Sequence, residues 1–438
     1  MTGRRLEEIL TRRPLTAVEW GLDRTRELLA RLGDPQEAFR SVHVGGTNGK
    51  GSAAAMAAAV LGADGRRVGL YTSPELVDLA DRYRVDGRTL DRELLDACAE
   101  RVGPEAAAVD ATFFEAATAL AFLAFREAGV EWTVAEVGLG GRLDATNVLE
   151  PEAAVITTVA RDHERFLGTG LAEIAREKAG ILKPGVPAAA GRMPPEAMEA
   201  VEERAREVGA PLARLGRDAR LEAVAVRLAG TRFRYRSGAR PDGLELEIPL
   251  PGVHQAENAA TALLALESLE EPPADRAVRE GLAGLRWRGR FEVRRREGVT
   301  WVLDAGHNPA SAAALADTLD RTRPPEPRIL LAAVLGDKAW RSLLAPLRVR
   351  TRRAVLTVAP SSPADRRWDP ADAAAELGEG AEAVDDFDRA LDRARELAGE
   401  GTVVVAGSCY TVGDALRRLD PDPGDPAEAD AAPGRAGG

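Results

Sequence analysis

The sequence predicts an α/β protein of two domains, and three observations carry that expectation. Short apolar runs alternate with helical segments, the pattern of parallel strands joined by crossover helices. A glycine-rich turn, Gly45 to Gly51, separates an apolar run from a helical one near the start. The alternation restarts around Arg286–Phe291, and 438 residues exceed what one hydrophobic core usually supports. The expected division is 1–287, 288–419 and a tail at 420–438. That tail is built of Asp, Pro, Gly, Ala and Glu with one Arg, cannot bury a core, and is expected to be disordered.

The elements follow in order. Leu22, Leu28, Leu29 and Leu32 recur at helical spacing, so 5–39 reads as amphipathic helices. A strand is expected at Ser41–Val44, then the glycine turn, a helix from Ser52 to about Gly62, and a strand at Val68–Tyr71. A helix at 112–128 precedes strands at 130–137 and Ala153–Val159, the latter stopping at Arg161-Asp162-His163. These runs indicate a parallel, doubly wound sheet. Residues 220–250 alternate apolar and polar side chains, an antiparallel excursion before a helix at 257–268. In the second half, strands at 300–304, 328–334, 353–358 and 402–406 alternate with helices near 310–321, 338–347, 386–398 and 411–418.

Composition narrows the function. The formal charge is −11, which argues against a non-specific nucleic-acid binder. Cys98 and Cys409 fit no metal or redox spacing and suit a reducing compartment. Met1–Arg13 lacks the apolar core of a signal peptide, and no run reaches the ~20 apolar residues of a membrane span. A cytoplasmic protein is expected, with neither membrane nor nucleic acid as partner.

Of 59 basic residues only Lys50, Lys178, Lys183 and Lys338 are lysine. Arginine can supply charge but not a compact or deprotonatable amine, so these lysines read either as retained where chemistry needs one or as chance survivors of an arginine-rich usage. Lys50 follows Gly46-Thr47-Asn48-Gly49 and precedes Gly51-Ser52. Such a turn aims backbone N–H groups and a lysine at phosphates. The general P-loop places Ser or Thr directly after the lysine; here Gly51 intervenes, and Ser73 at the end of the neighbouring strand is placed to supply a magnesium hydroxyl. Glu136 ends an apolar strand and His163 the next, and ligands of open α/β sheets bind beyond those ends. A carboxylate and a hydroxyl are ordinary magnesium partners; an imidazole is less usual, so His163 reads either as a structural histidine or, beside Asp162, as a ligand. For Lys178 two readings stand: a neutral amine that takes up carbon dioxide to become an anionic carbamate ligand, or a plain ion pair to phosphate.

Together these residues resemble the folylpolyglutamate synthase/dihydrofolate synthase family within the Mur-ligase-like ATP-dependent amide ligases. The motifs are Gly46–Ser52, Tyr71-Thr72-Ser73-Pro74, Thr112-Phe113-Phe114-Glu115, Glu136–Asn147, Asp162-His163 and Glu177–Ile181. His254–Asn258, Arg288–Arg290, Asp304–Pro309, Asp337-Lys338 and Gly407–Tyr410 continue the likeness, which covers about 5–418. The resemblance implies a P-loop, Mur-ligase-like central domain with a parallel sheet, plus a smaller Rossmann-like C-terminal α/β domain. It implies ATP binding by Thr47, Asn48, Gly49, Lys50, Gly51, Ser52, Asn258, Arg290 and Asp304. Two magnesium ions are expected on Ser73, Glu136, His163 and a carbamylated Lys178, with Lys50, Lys178 and His307 catalytic. Thr112, Phe113, Phe114, Glu115, Leu143, Asp144, Ala145, Ser408 and Tyr410 would bind substrates. Glu75 stands where the family usually has His, Asp81-Arg82-Tyr83 replaces a Glu-Arg-Ile run, and Asp304-Ala305-Gly306 replaces an Asp-Gly-Ala order.

The expected activity joins L-glutamate to dihydropteroate, to a folate, or to both, using ATP to make an acyl phosphate. The chain is expected to act as a monomer whose domains close on ATP. A Mur-type ligase for a cell-wall or peptide-like carboxylate is the alternative, and a non-catalytic nucleotide switch the third reading.

Overall fold

The computed structural model describes residues 5–10 and 20–420. It divides into two units, Met1–Arg288 with Ala313–Arg323, and Gly289–Ala312 with Pro324–Gly438. The boundary falls inside the Pro309–Thr322 helix. Apart from Asp420, which pairs with Arg296, the expected disordered tail lies outside the described residues, as does the 11–19 part of the expected N-terminal helices.

The first unit carries β1 Arg40–Gly45, β2 Val68–Tyr71, β3 Tyr83–Val85, β4 Arg88–Thr89, β5 Trp132–Glu136, β6 Ala153–Ile156, β7 Ala188–Ala190 and β8 Leu212–Arg214. They form one sheet in the order β4-β3-β2-β5-β1-β6-β7-β8. From β2 to β8 the pairing is parallel; β3 and β4 add an antiparallel hairpin at one edge, which the expected all-parallel sheet lacked. Strands β1, β2, β5 and β6 are buried on both faces, which is why they read as continuous apolar runs rather than alternating ones. The register pairs Val44 with Glu136 and with Val155, so the ends of β5, β1 and β6 share one rim.

Helices cover both faces. The alanine-rich Lys50–Ala63 helix packs with Val253–Leu266 and Asp275–Ala283 on one side, the last two bounding a three-stranded antiparallel sheet, β9 Ala219–Arg227, β10 Gly230–Ser237 and β11 Leu244–Ile248. Phe113–Glu127 and Arg92–Ala108 cover the other side with Leu6, Leu10, Leu28 and Leu29. Beyond β6, Leu171–Ala179 and Pro195–Val208 close the sheet's far end.

The second unit is a six-stranded sheet of β12 Glu292–Arg296, β13 Val299–Asp304, β14 Arg328–Ala332, β15 Arg353–Leu356, β16 Ala381–Ala383 and β17 Thr402–Ala406. Its order is β12-β13-β17-β14-β15-β16, parallel except for β12. Among the described residues no helix is long and apolar enough to cross a membrane.

Candidate active site

Strand β1 delivers the chain into the glycine turn, and threonines from beyond β6 hold the turn open. Thr47 N donates to Thr158 O at 2.6 Å, and its hydroxyl accepts Ala160 N at 3.0 Å. Thr157 Oγ1 donates to Asn48 O at 2.7 Å. Those contacts explain a correction: β6 stops at Ile156, not Val159, because Thr157 to Ala160 leave the sheet to brace the turn. Gly49 precedes the helix in the left-handed region (φ +80°), and a Cβ there would lie 2.2 Å from Asn258 Oδ1. Only glycine allows Asn258 to approach so closely.

The helix begins at Lys50, two residues earlier than expected, so Lys50 stands in its first turn with Nζ donating to Thr47 O at 3.1 Å. Ser52 is buried within the same turn, and its hydroxyl has no hydrogen-bond partner. Glu136, 5% exposed at the end of β5, accepts Ser73 N on Oε2 at 3.1 Å. The same oxygen lies 3.2 Å from where a Gly51 Cβ would stand, which puts the carboxylate over the start of the lysine helix.

These groups fit magnesium rather than a softer ion. Among the described residues no three His, Cys, Asp or Glu side chains converge as a cage. One buried carboxylate, the orphaned Ser52 hydroxyl and nearby Ser73 are the hard oxygen donors magnesium takes alongside water and phosphate. His163 does not end a strand. It sits past β6 at φ +52°, ahead of the short Glu164–Leu167 helix, with Nε2 3.9 Å from Asp162 Oδ1 and its side chain 40% exposed.

Lys178 comes in from the opposite side. The Leu171–Ala179 helix buries it, and Nζ donates to Gly46 O at 2.8 Å. Burial, followed by the charge of Lys50, lowers its pKa from 10.5 to about 7, against the pull of Asp162 and Asp144. Much of the amine is therefore neutral near pH 7.

The segment after Glu136 is tied to that helix. Arg142 N donates to Glu177 O at 2.9 Å, and Asn147 Nδ2 donates to Arg142 O and Gly180 O at 2.9 and 3.2 Å. Asp144 accepts Leu139 N at 2.8 Å and Thr146 N at 3.0 Å, and burial raises its pKa. His43, fully buried on β1, meets Thr146 Oγ1 at 2.8 Å; burial, then Lys183, lowers its pKa to about 3, so it stays neutral. Lys183 Nζ donates to Asn147 O at 3.0 Å. Leu143 is half-buried and Ala145 buried on this segment.

Thr112 and Glu115 form a capping box at the start of Phe113–Glu127, with Glu115 also paired to Arg24. Phe114 lies over the backbone of Gly138, where a Cβ would stand 2.4 Å from the ring. In the second unit, Asp304 accepts Phe291 N at 3.0 Å and Gly306 N at 2.9 Å, while Arg290 donates to Gly289 O at 2.9 Å. His307 Nδ1 lies 3.3 Å from Ala305 O, Ser408 caps the Cys409–Leu419 helix, and Tyr410 is half-buried in its first turn. The first unit thus gathers Lys50, Ser73, Glu136, Lys178 and Asn258 about one turn; the second gathers Arg290, Asp304 and His307 about another. The sequence had not singled out Thr157 or Trp287, whose ring also approaches Gly51, because neither lies in a glycine or acidic pattern.

A family model of the Mur ligase middle domain matches residues 44–266, and one of the Mur ligase, glutamate ligase domain matches 289–409. The chain is similar to the folylpolyglutamate synthase of Lacticaseibacillus casei, 35% identical over 87% of this chain and 90% of that protein. It is similar also to the Escherichia coli dihydrofolate synthase/folylpolyglutamate synthase, 34% identical over 92% of each. The structure of Mycobacterium tuberculosis folylpolyglutamate synthase complexed with ADP aligns with a TM-score of 0.88 and 32% identity, covering 97% of this chain and 99% of that one. Escherichia coli FolC in complex with DHPP and ADP aligns with a TM-score of 0.86 and 30% identity, covering 96% and 98%. With its turn, its acid and its buried lysine in place on that common frame, the chain belongs to the folylpolyglutamate synthase/dihydrofolate synthase family of Mur-type ligases.

Proposed function

We propose that this chain is an ATP-dependent ligase that joins L-glutamate to the carboxylate of dihydropteroate, of a folate, or of both. The observation that carries the reading is the pair of lysines on adjacent carbonyls of one glycine turn, Lys50 on Thr47 and Lys178 on Gly46, beside the Glu136–Ser73 contact. A carboxylate is a poor acyl donor because oxide is a poor leaving group. Transfer of the terminal phosphoryl of ATP to it gives an acyl phosphate, and the glutamate amine then displaces phosphate to form the amide.

Within that sequence this chain's residues position and neutralise. Asn48 to Gly51 hold the phosphates against the helix start, and Lys50 offsets charge on the transferring phosphoryl. Glu136, Ser73, Ser52 and His163 are the groups that would hold magnesium, two ions by the resemblance; magnesium supplies further charge neutralisation on the phosphates. Lys178, its amine partly neutral near pH 7, adds to carbon dioxide with loss of one proton, giving an anionic carbamate oxygen in place of the amine. Asp144 and the rings of Phe113 and Phe114 flank the path of the pteridine-bearing acceptor.

The test is release of ADP with glutamate, comparing dihydropteroate with tetrahydrofolate. Glutamate-dependent turnover on either supports the reading. Turnover only with a cell-wall-type carboxylate would favour the other Mur-type ligases, and ATP binding without glutamate-dependent turnover would make the chain a nucleotide switch.

A further inference from the structure

We propose that Glu75 sets acceptor preference, favouring an acceptor whose only carboxylate is the one that reacts over one carrying a further free carboxylate. This rests on the ligase reading and sharpens its acceptor class: dihydropteroate belongs to the first kind, tetrahydrofolate and its glutamyl conjugates to the second.

The observations concern Arg82. It is 6% exposed, closing the short Leu79–Arg82 turn next to β3. Its Nε donates to Glu75 Oε2 at 2.6 Å and its Nη2 pairs with the same oxygen. Its guanidinium stands 5.2 Å from the centre of the Phe113 ring. Its Nη1 is buried and has no hydrogen-bond partner among the described residues. The segment is held firmly, with Thr72 N donating to Arg82 O at 3.1 Å and Asp81 accepting Val77 N and Asp78 N at 2.9 and 3.0 Å. Glu75 follows closely on Ser73, whose N–H meets Glu136, and its side chain remains 28% exposed.

A buried guanidinium requires a counter-ion, and removing it is strongly unfavourable. Here the chain supplies its own in Glu75. Arg82 therefore stands against the Phe113 ring, on a segment that follows Ser73, with its charge already matched. A second acceptor carboxylate drawn to Arg82 meets the negative Glu75 first, and like charges brought together at a contact discriminate against that ligand. With a neutral side chain at position 75, the acceptor's own carboxylate could take the place of Glu75 against the arginine. Glu75 is thus a specificity-determining residue that acts through the charge balance of Arg82.

The experiment measures kcat/KM for dihydropteroate and tetrahydrofolate in the wild type and in Glu75→Gln, Glu75→His and Arg82→Gln. The wild type is expected to favour dihydropteroate. Both Glu75 variants are expected to shift the ratio toward tetrahydrofolate by about tenfold, and Arg82→Gln to shift it the other way, since one unrelieved charge contact changes discrimination by about that factor or more. Circular dichroism establishes which variants fold. If Glu75→Gln does not, Glu75→His and the opposite sign of Arg82→Gln carry the test, and the wild-type ratio stands in any case. A ratio unchanged across the folded variants, or a wild type that favours tetrahydrofolate, overturns the role of Glu75 while leaving the ligase reading intact. Turnover with neither acceptor overturns both.

Discussion

The strand-end turns of the two units handle charge in opposite ways. In the first unit, two lysine side-chain nitrogens rest on backbone carbonyls, Lys50 on Thr47 and Lys178 on Gly46. In the second, a carboxylate rests on backbone N–H groups, with both Asp304 oxygens occupied by Phe291 and Gly306. A lysine nitrogen has two or three N–H donors, and a single carbonyl uses one of them, so the first turn keeps capacity for an incoming anion. Asp304 braces its own turn with one bond to each oxygen. Similar sheet ends thus present opposite hydrogen-bonding character, N–H donors from lysine at one and a backbone-braced carboxylate at the other.

The most direct way to break this contrast is Lys50→Arg. The forked guanidinium cannot reproduce a point charge in the glycine turn, so kcat should fall by about 10³-fold with the circular dichroism spectrum unchanged. Near-normal turnover would remove the phosphate role. Lys178→Ala is expected to lose about 10²-fold or more in kcat, with partial recovery in formate or acetate, because a small carboxylate can replace the carbamate oxygens. A crystal or mass spectrum showing only the bare amine under carbon dioxide would separate the carbamate from a simple cation.

Backbone changes sharpen the comparison on the structural side. Gly49→Ala places a Cβ against Asn258 in a left-handed conformation and should cost about 1–3 kcal/mol in denaturant unfolding while weakening nucleotide binding. Asp304→Asn replaces one of the two acceptors with a donor and should lower stability by about 1–2 kcal/mol, a loss visible without any nucleotide.

A further effect is one of pH. The Lys178 pKa in the folded chain, about 7, lies below its ordinary 10.5, so between those values the unfolded chain binds the extra proton and stability rises with pH. Below about pH 7 both states are charged and the cost of burial is felt in full. Lys178→Met should therefore melt above the wild type at pH 6.5, with the gap narrowing toward pH 10. A pH-independent gap would place the amine in contact with solvent.

Legibility in the sequence followed how strongly each feature constrains the backbone. The glycine turn, β2, β17 and the buried strand before Glu136 could be read because glycine clusters and Val-rich runs admit few alternatives. The end of β6 could not, since Thr157 and Val159 continue the apolar, β-branched character while the chain has already turned to brace Thr47 and Asn48. The Arg92–Ala108 helix went unread because Gly103-Pro104 signals a break, yet the helix runs through it. Strand β7, three alanines, carries no periodicity at all. At the site, residue types that can do only one job, such as lysine in an arginine-rich chain, were visible. The buried His43–Thr146 contact was not, because it joins positions far apart in sequence whose meeting depends on the register of β1 with β5.

The large sheet also ends in a way that matters for life in a crowded solution. Its outermost strands are the two-residue β4 and the three-residue β8, and each contains an arginine, Arg88 and Arg214. Such short, charged margins offer little template for another chain's backbone, so the long central strands are shielded from intermolecular pairing. Loss of either margin, by truncation or by local fraying, would expose β3 or β7 as a sticky edge and favour aggregation.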